Sequence, residues 1–363
     1  MKIAFIVRPN LYQITGGDTV QIDQTAKQLI ALGVEVDILT SNDVIQYEKY
    51  DLINFFHITR PSAILHHSKA ANKPFAISTI HCLYGDYYKY NERGLASVFA
   101  SLSEDSKDYL RTITRWIRRK EKLPIRNFIV KGQRKSIIEA LESADIILPN
   151  SISELNRVKK LYTANIKDHV VTNGINAEKF PFNDAITKDG DLIICVGRIE
   201  KRKNQLNLIK ALNNTKYKLV LIGAASPNQP KYYQQCRNAA APNVTFLNRV
   251  PHDELVKYYQ LAKVHVLASW FETTGLSSLE AALMRCNIVV TDKGDTYDYF
   301  GDDAFYCSPE NIGSIKQAVE RASKAQFNET FLTRILTMHT WRKAAEQTLE
   351  AYRIAINAKN NVG

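Results

Sequence analysis

Short β-branched runs alternate with amphipathic stretches along most of the chain. KIAFIV (2–7) is a continuous apolar run and predicts a buried strand. The loop after it holds Gly16-Gly17, and TVQIDQTAKQLIAL then predicts a helix that stops at Gly33. VEVDIL, LINFFH, FAISTI and ADIILP continue the strands, and NSISELNRVKKLY predicts a helix entered through a Ser or Asn cap. The turn-rich stretch VVTNGINAEKFPFNDAITKDGD breaks the alternation. It restarts with the strands LIICVG, KLVLIG, NVTFL, VHVLAS and IVVTD, separated by helices such as NQLNLIKAL and ELVKYYQLA. This pattern predicts βαβ units and parallel sheets, an α/β class. The break predicts two similar domains, 1–178 and 179–340, with a final helix over 341–363 that packs on one of them.

Composition narrows this picture. A length of 363 residues suits two domains, and 45% apolar with 23% charged residues is the balance of a soluble globular protein. No apolar run reaches the roughly 18–20 residues that span a bilayer, and MKIAFIVRPN reads as a first strand, not a leader. Cys82, Cys195, Cys236, Cys286 and Cys307 are odd in number and show no C-x-x-C spacing. That argues against a disulfide framework or a zinc site and for a reducing cytoplasm. Neither G-x-G-x-x-G nor the P-loop pattern G-x-x-x-x-G-K-[ST] occurs, which leaves a dinucleotide or P-loop reading without support. The net charge of +11 is concentrated: residues 107–135 hold eleven Lys/Arg against Asp108 and Glu121, a local +9, leaving +2 for the remaining residues.

Ligands of open parallel sheets bind outside the carboxyl ends of the strands. Three such ends in the second half carry suggestive residues. After LIICVG, Arg198 and Lys203 are cations spaced to hold a diphosphate, or else solvated loop residues. After VHVLASW, the segment FETTGLSSLEAAL brackets a helix entry at Thr273, Thr274 and Gly275 with Glu272 and Glu280. The helix N-terminus offers free N–H groups to a phosphate, and the carboxylates suit hydroxyls of a ribose or hexose. The plainer alternative makes Glu280 a surface residue and Glu272 a partner of the helix dipole. After the same helix, Asn287 falls where a left-handed residue ends a helix before the strand IVVTD.

The order VGRIEKRKN, NVTFLNRV, ASWFETTGLSSLEAAL, NIVVTD resembles the C-terminal domain of retaining GT-B glycosyltransferases, specifically glycosyltransferase family 4. GGDTVQIDQTAKQLIALGVEVDIL, STIHCLYGDYY and VVTNGINAEKF resemble segments of the same family's N-terminal half and its interdomain signature. The resemblance fails mainly over about 85–135, which reads as a basic insertion. It implies two Rossmann-like domains facing each other across a cleft, a nucleotide-sugar donor (UDP- or GDP-sugar) and no required metal or other cofactor. It implies that Arg198 and Lys203 bind the donor diphosphate, that Glu272 contacts donor-sugar hydroxyls and that Glu280 accepts ribose hydroxyls. Backbone around Thr274, Gly275 and Leu276 would bind sugar and phosphate oxygens, with Arg249 and Val250 bordering the base. His81 would touch the donor sugar, and Gly17 with Asp18 would lie near acceptor and phosphate. The chain departs from the family pattern at Lys203-Asn204, Thr273-Thr274 and Asn287-Ile288.

Other candidates weigh less. His66-His67 are adjacent and diverge on a helix. Asp189-Gly190-Asp191 matches a metal motif of a different glycosyltransferase fold, but its place before LIICVG predicts a turn. In YLRTITRWIRRK, Tyr109, Ile113, Trp116 and Ile117 share a helical face while Arg111, Arg118 and Arg119 lie off it. Such a helix suits an anionic membrane surface or packs its apolar face on its own domain. No nucleic-acid motif accompanies the charge. The expectation is a cytoplasmic glycosyltransferase, peripheral on the inner face of the plasma membrane, with a glycan or polyprenyl-linked acceptor of bacterial cell-surface polysaccharide synthesis. A sugar-nucleotide epimerase or phosphorylase, or a non-catalytic basic module for membrane or RNA, are the alternatives.

Overall fold

The computed structural model describes residues 1–91, 102–118 and 126–360. It divides into two compact units, Met1–Asn173 together with Trp341–Gly363, and Gly174–Thr340.

Unit 1 is built on a parallel five-stranded sheet in the order β2-β1-β3-β4-β5. Its strands are β1 (Lys2–Val7), β2 (Glu35–Thr40), β3 (Leu52–Phe56), β4 (Phe75–Ser78) and β5 (Ile146–Leu148). β3 and β4 are buried at every position, as the continuous apolar runs LINFF and FAIS demand of strands covered on both faces. Helices α1 (Gly17–Ala31), α2 (Pro61–Ala71), α3 (Gly85–Asn91), α4 (Glu104–Ile117), α5 (Arg126–Ser143, interrupted at Gly132) and α6 (Ile152–Leu161) connect them. The last helix, α14 (Trp341–Asn360), packs in this unit against α1, β4 and β5.

Unit 2 carries a parallel six-stranded sheet in the order β11-β10-β9-β6-β7-β8. Its strands are β6 (Asp189–Val196), β7 (Lys218–Ile222), β8 (Val244–Leu247), β9 (Ala262–Leu267), β10 (Asn287–Thr291) and β11 (Ala304–Cys307). Helices α7 (Gln205–Leu212), α8 (Pro230–Ala239), α9 (His252–Leu261), α10 (Leu276–Leu283), α11 (Thr296–Phe300), α12 (Ile312–Lys324) and α13 (Glu329–Met338) complete it. Each sheet reverses its strand order once, between β1 and β3 in unit 1 and between β6 and β9 in unit 2. These are the points where doubly wound sheets open a crevice for ligands.

Two expectations change, and a third element adds a contact that the sequence did not announce. Asp189-Gly190-Asp191 lies in the irregular first residues of β6, not in a turn; Lys218 and Lys216 pair with the two carboxylates at 3.0 and 2.7 Å. The left-handed residue before β10 is Arg285 (φ 56°), whereas Asn287 is already in the strand. Asn287 instead donates from Nδ2 to the carbonyls of Ala322 and Ala325, tying β10 to the end of α12. On α4 the inward positions are Lys107 and Thr112, and Ile117 is 68% exposed. The neighbouring surface explains this: it offers Lys107 the Tyr88 ring at 3.9 Å, beside the Glu104 carboxylate at 3.1 Å, so the ammonium can be buried. Arg111 is held by Asp108 and the Tyr88 hydroxyl, and Arg119 lies outside the described residues.

Candidate active site

In unit 2 the switch point gathers most of the residues singled out in the sequence. Arg198 follows β6, and a short 3-10 turn over Lys201–Lys203 brings Lys203 to the loop after β9. That turn closes on Asn204, whose left-handed backbone (φ 59°, ψ 30°) an asparagine tolerates. The buried Asn204 amide donates to the carbonyls of Ala268 and Pro309, which locks the turn to the end of β9. Lys203 Nζ then meets Glu272 Oε1 at 2.6 Å in a largely buried ion pair. Arg198 and Arg202 lie 3.8 and 3.9 Å from the buried carboxylate of Glu200, and the Arg198 side chain keeps about a third of its surface open.

Glu272 is placed by its backbone. Its N–H donates to Lys293 O and its carbonyl accepts from Asp295 N–H, so the loop after β9 is bridged to the loop after β10. The bridge requires Gly294: a Cβ there would sit 2.1 Å from the Glu272 carbonyl oxygen. Gly275 caps α10 with φ 76°, a conformation that L side chains rarely adopt, and its neighbours Thr274 and Leu276 are buried and half-buried.

Beneath these loops lies His265, which sequence reasoning passed over as part of an apolar strand. It is fully buried on β9; Val196 N–H donates to its Nε2 and its Nδ1 faces Ser278 Oγ at 3.2 Å. Burial, with the nearby charge of Lys203, lowers its pKa to about 3, so the ring is neutral and serves to fix β6 and α10 to β9. Glu280, one turn into α10, accepts a 3.0 Å hydrogen bond from the buried Tyr259 hydroxyl. Burial pushes its carboxyl up to about 7, against the opposing effects of that hydrogen bond, His252 and Lys179. Arg249 and Val250 follow β8, the edge strand two places from β6, and are exposed and half-buried.

In unit 1, Gly17 opens α1 with free space where a side chain would point. Asp18 is claimed by two groups the sequence did not single out: Arg8, at the end of β1, at 2.7 Å and His57, at the end of β3, at 3.1 Å. Burial alone would raise the Asp18 pKa, but the hydrogen bonds and charges of His57 and Arg8 bring it well below the ordinary value. His57 holds φ 70°, strained for a non-glycine residue. The signal in sequence was a polar residue directly after each apolar run. His81 lies beyond β4, buried, with its backbone N–H on Glu154 Oε1 and its carbonyl on Arg157 Nη2.

Among the described residues no group of three or more His, Cys, Asp or Glu stands where it could hold a metal ion. No helix there is long and apolar enough to cross a membrane.

Residues 176–347, which span this site in unit 2, match the family model described as glycosyl transferases group 1. This stretch, most of unit 2, thus resembles the glycosyl transferases group 1 family. The chain is 24% identical over 399 aligned residues to an uncharacterized glycosyltransferase of Methanocaldococcus jannaschii, covering 98% of this chain and 99% of the relative. An N-acetylgalactosamine-N,N'-diacetylbacillosaminyl-diphospho-undecaprenol 4-alpha-N-acetylgalactosaminyltransferase of Campylobacter jejuni is 25% identical, covering 81% of this chain and 83% of the relative. Among solved structures, sucrose-phosphate synthase of Thermosynechococcus elongatus superposes with a TM-score of 0.76 at 18% identity, over 98% of this chain and 99% of that one. The Anabaena HepE protein, solved with UDP, gives 0.71 at 14% identity over 96% and 99%. The chain therefore has the GT-B fold of two parallel-sheet domains.

Proposed function

We propose that this chain is a glycosyltransferase that takes its sugar from a nucleoside-diphosphate donor bound at the switch point of unit 2, with retention at the anomeric carbon. The observation that carries the reading is the Lys203–Glu272 ion pair at 2.6 Å beside Arg198 and the Gly275 entry to α10. An arriving diphosphate offers Lys203 a stronger anionic partner. Transfer of Lys203 to it leaves Glu272 with free lone pairs for sugar hydroxyls. Arg198, Lys203 and the helix N-terminus then stabilise the charge that grows on the departing phosphate as the glycosidic bond breaks. The acceptor hydroxyl attacks from the leaving group's side and gives its proton to the departing phosphate oxygen. Glu280, with Tyr259 on one oxygen, takes the ribose hydroxyls on the other.

UDP is the first donor base to test, because the HepE neighbour was solved with UDP. A lipid-linked acceptor of cell-surface polysaccharide synthesis draws support from the Campylobacter relative's name and from the basic segment. In that segment Ile117 and Val130 are 68% and 89% exposed among arginines and lysines, a composition suited to an anionic leaflet.

A thermal-shift panel of UDP-, GDP-, ADP- and CDP-sugars tests the reading. A donor at a hundred times its dissociation constant stabilises by about 2.7 kcal/mol, and one class of nucleotide is expected to raise Tm by several degrees. If all four are inert, the donor-site assignment fails.

A further inference from the structure

His81 is held more firmly than a solvated histidine needs. Glu154 Oε1 takes its N–H at 2.6 Å and Arg157 Nη2 donates to its carbonyl at 2.7 Å, both from α6. Ile80 before it has φ 42°, a costly conformation for a β-branched residue. The imidazole is 2% exposed and meets the Tyr162 ring edge-to-face with centroids 5.5 Å apart. Tyr162 follows directly on α6, so one short helix supplies all three holders.

The side-chain contacts decide which ring nitrogen carries hydrogen. Tyr162 Oη lies 3.1 Å from Asp105 Oδ1 and 3.3 Å from His81 Nε2. A carboxylate only accepts, so the single phenolic proton goes to Asp105. The tyrosine oxygen then offers Nε2 a lone pair, and Nε2 must supply the hydrogen. Burial and the charge of Arg157 lower the His81 pKa to about 3, which leaves the ring neutral. Nδ1 therefore carries a lone pair. It is buried, and among the described residues no group hydrogen-bonds to it. A buried acceptor without a partner is costly and marks a place where one is to be supplied.

We propose that Asp105 and Tyr162 are positioning residues that hold His81 as its Nε2–H tautomer, so that Nδ1 accepts a hydrogen bond from a hydroxyl of the sugar substrate. A lone pair there favours an O–H donor and disfavours phosphate oxygens, which bring no hydrogen. The sugar hydroxyl rests on the glycosyl-transfer reading; the tautomer does not. Asp105 lies on α4, within the stretch where the family resemblance fails, so this chain's own insertion would set the chemistry of the histidine.

The test has two arms on the full chain. Two-bond 1H–15N spectra of histidine-labelled protein at pH 7, with the His81 signals assigned by their loss in His81→Asn, report the tautomer directly. The Nε2–H pattern is expected. Tyr162→Phe and Asp105→Asn should each shift the Nε2 resonance. An Nδ1–H pattern or an imidazolium overturns the proposal. In the second arm, turnover is measured with each of the four nucleotide-sugar classes above. His81→Asn places an amide oxygen near the Nδ1 position and His81→Gln reaches only toward Nε2, so Asn should retain at least tenfold more kcat/KM than Gln. Tyr162→Phe should lose about tenfold, mostly in KM. Equal losses in Asn and Gln overturn the acceptor role. An Nε2–H tautomer in a protein that turns over no nucleotide sugar overturns the sugar hydroxyl together with the transferase reading and leaves the positioning assignment standing.

Discussion

The two units use the same device, a reversal of strand order, yet load it differently. At the β1/β3 reversal of unit 1, Arg8 spends its donors on Asp18, on Asn10 and on the Ile14 carbonyl, and His57 takes the same Asp18 oxygen. The charges there hold a loop in place. At the β6/β9 reversal of unit 2, Lys203 has the Glu272 carboxylate as partner, and Arg198 reaches Glu200 only at 3.8 Å. An anion can take Lys203 over without dismantling the loop, because the loop is held by backbone bridges and by Asn204. Similar sheets thus give one closed cluster and one exchangeable ion pair.

The sharpest way to break this contrast is to remove one charge from each cluster. Lys203→Ala should lower kcat/KM with the donor by 100-fold or more, the scale for removing one preorganised group from a developing charge. Asp18→Asn should leave donor affinity within about twofold, measured by calorimetric titration of both variants. Comparable losses in donor affinity would erase the distinction between the clusters.

Glycines give the next largest contrast. Gly294→Ala puts a Cβ 2.1 Å from the Glu272 carbonyl oxygen at φ 95°, so a destabilisation of about 2–3 kcal/mol is expected in thermal unfolding. Gly17→Ala meets nothing within 4 Å and should change stability by less than about 0.5 kcal/mol.

Protonation separates the units in opposite directions. The Glu280 carboxyl, raised to about 7, holds its proton more tightly folded than unfolded. Its contribution to stability is therefore full below its ordinary value and is lost as pH rises through 7. Glu280→Gln should raise Tm more at pH 8 than at pH 5, and nucleotide affinity of the parent chain should increase over the same rise. Asp18, whose pKa is depressed, stabilises above its ordinary value and loses that contribution as pH falls below it. Asp18→Asn should flatten the acid limb of the stability profile by a smaller margin.

Strand and helix alternation was legible because the central strands of both sheets are buried on both faces and so read as short apolar runs. Lys203, Glu272, Gly275 and Glu280 were legible as charges and a glycine placed at strand ends. What the sequence hid is pairing. Nothing in VHVLAS distinguishes His265 from a surface histidine, since its partners Val196 and Ser278 come from β6 and α10. Arg8 and His57 are far apart in sequence and meet only because β1 and β3 are neighbours. On α4, helical periodicity gave no sign that Lys107 is buried against Tyr88, a contact no periodicity contains. Asn287 was misjudged by two residues, as helix ends commonly are.

The central claim is that the Lys203–Glu272 pair opens onto a diphosphate. Titrating the nucleoside diphosphate of the donor class that stabilises the protein, by calorimetry at fixed salt, into the parent chain and Lys203→Ala tests it most directly. A dissociation constant at least tenfold weaker in the variant, about 1.4 kcal/mol, is the predicted result. Equal affinities in the two proteins would contradict the account.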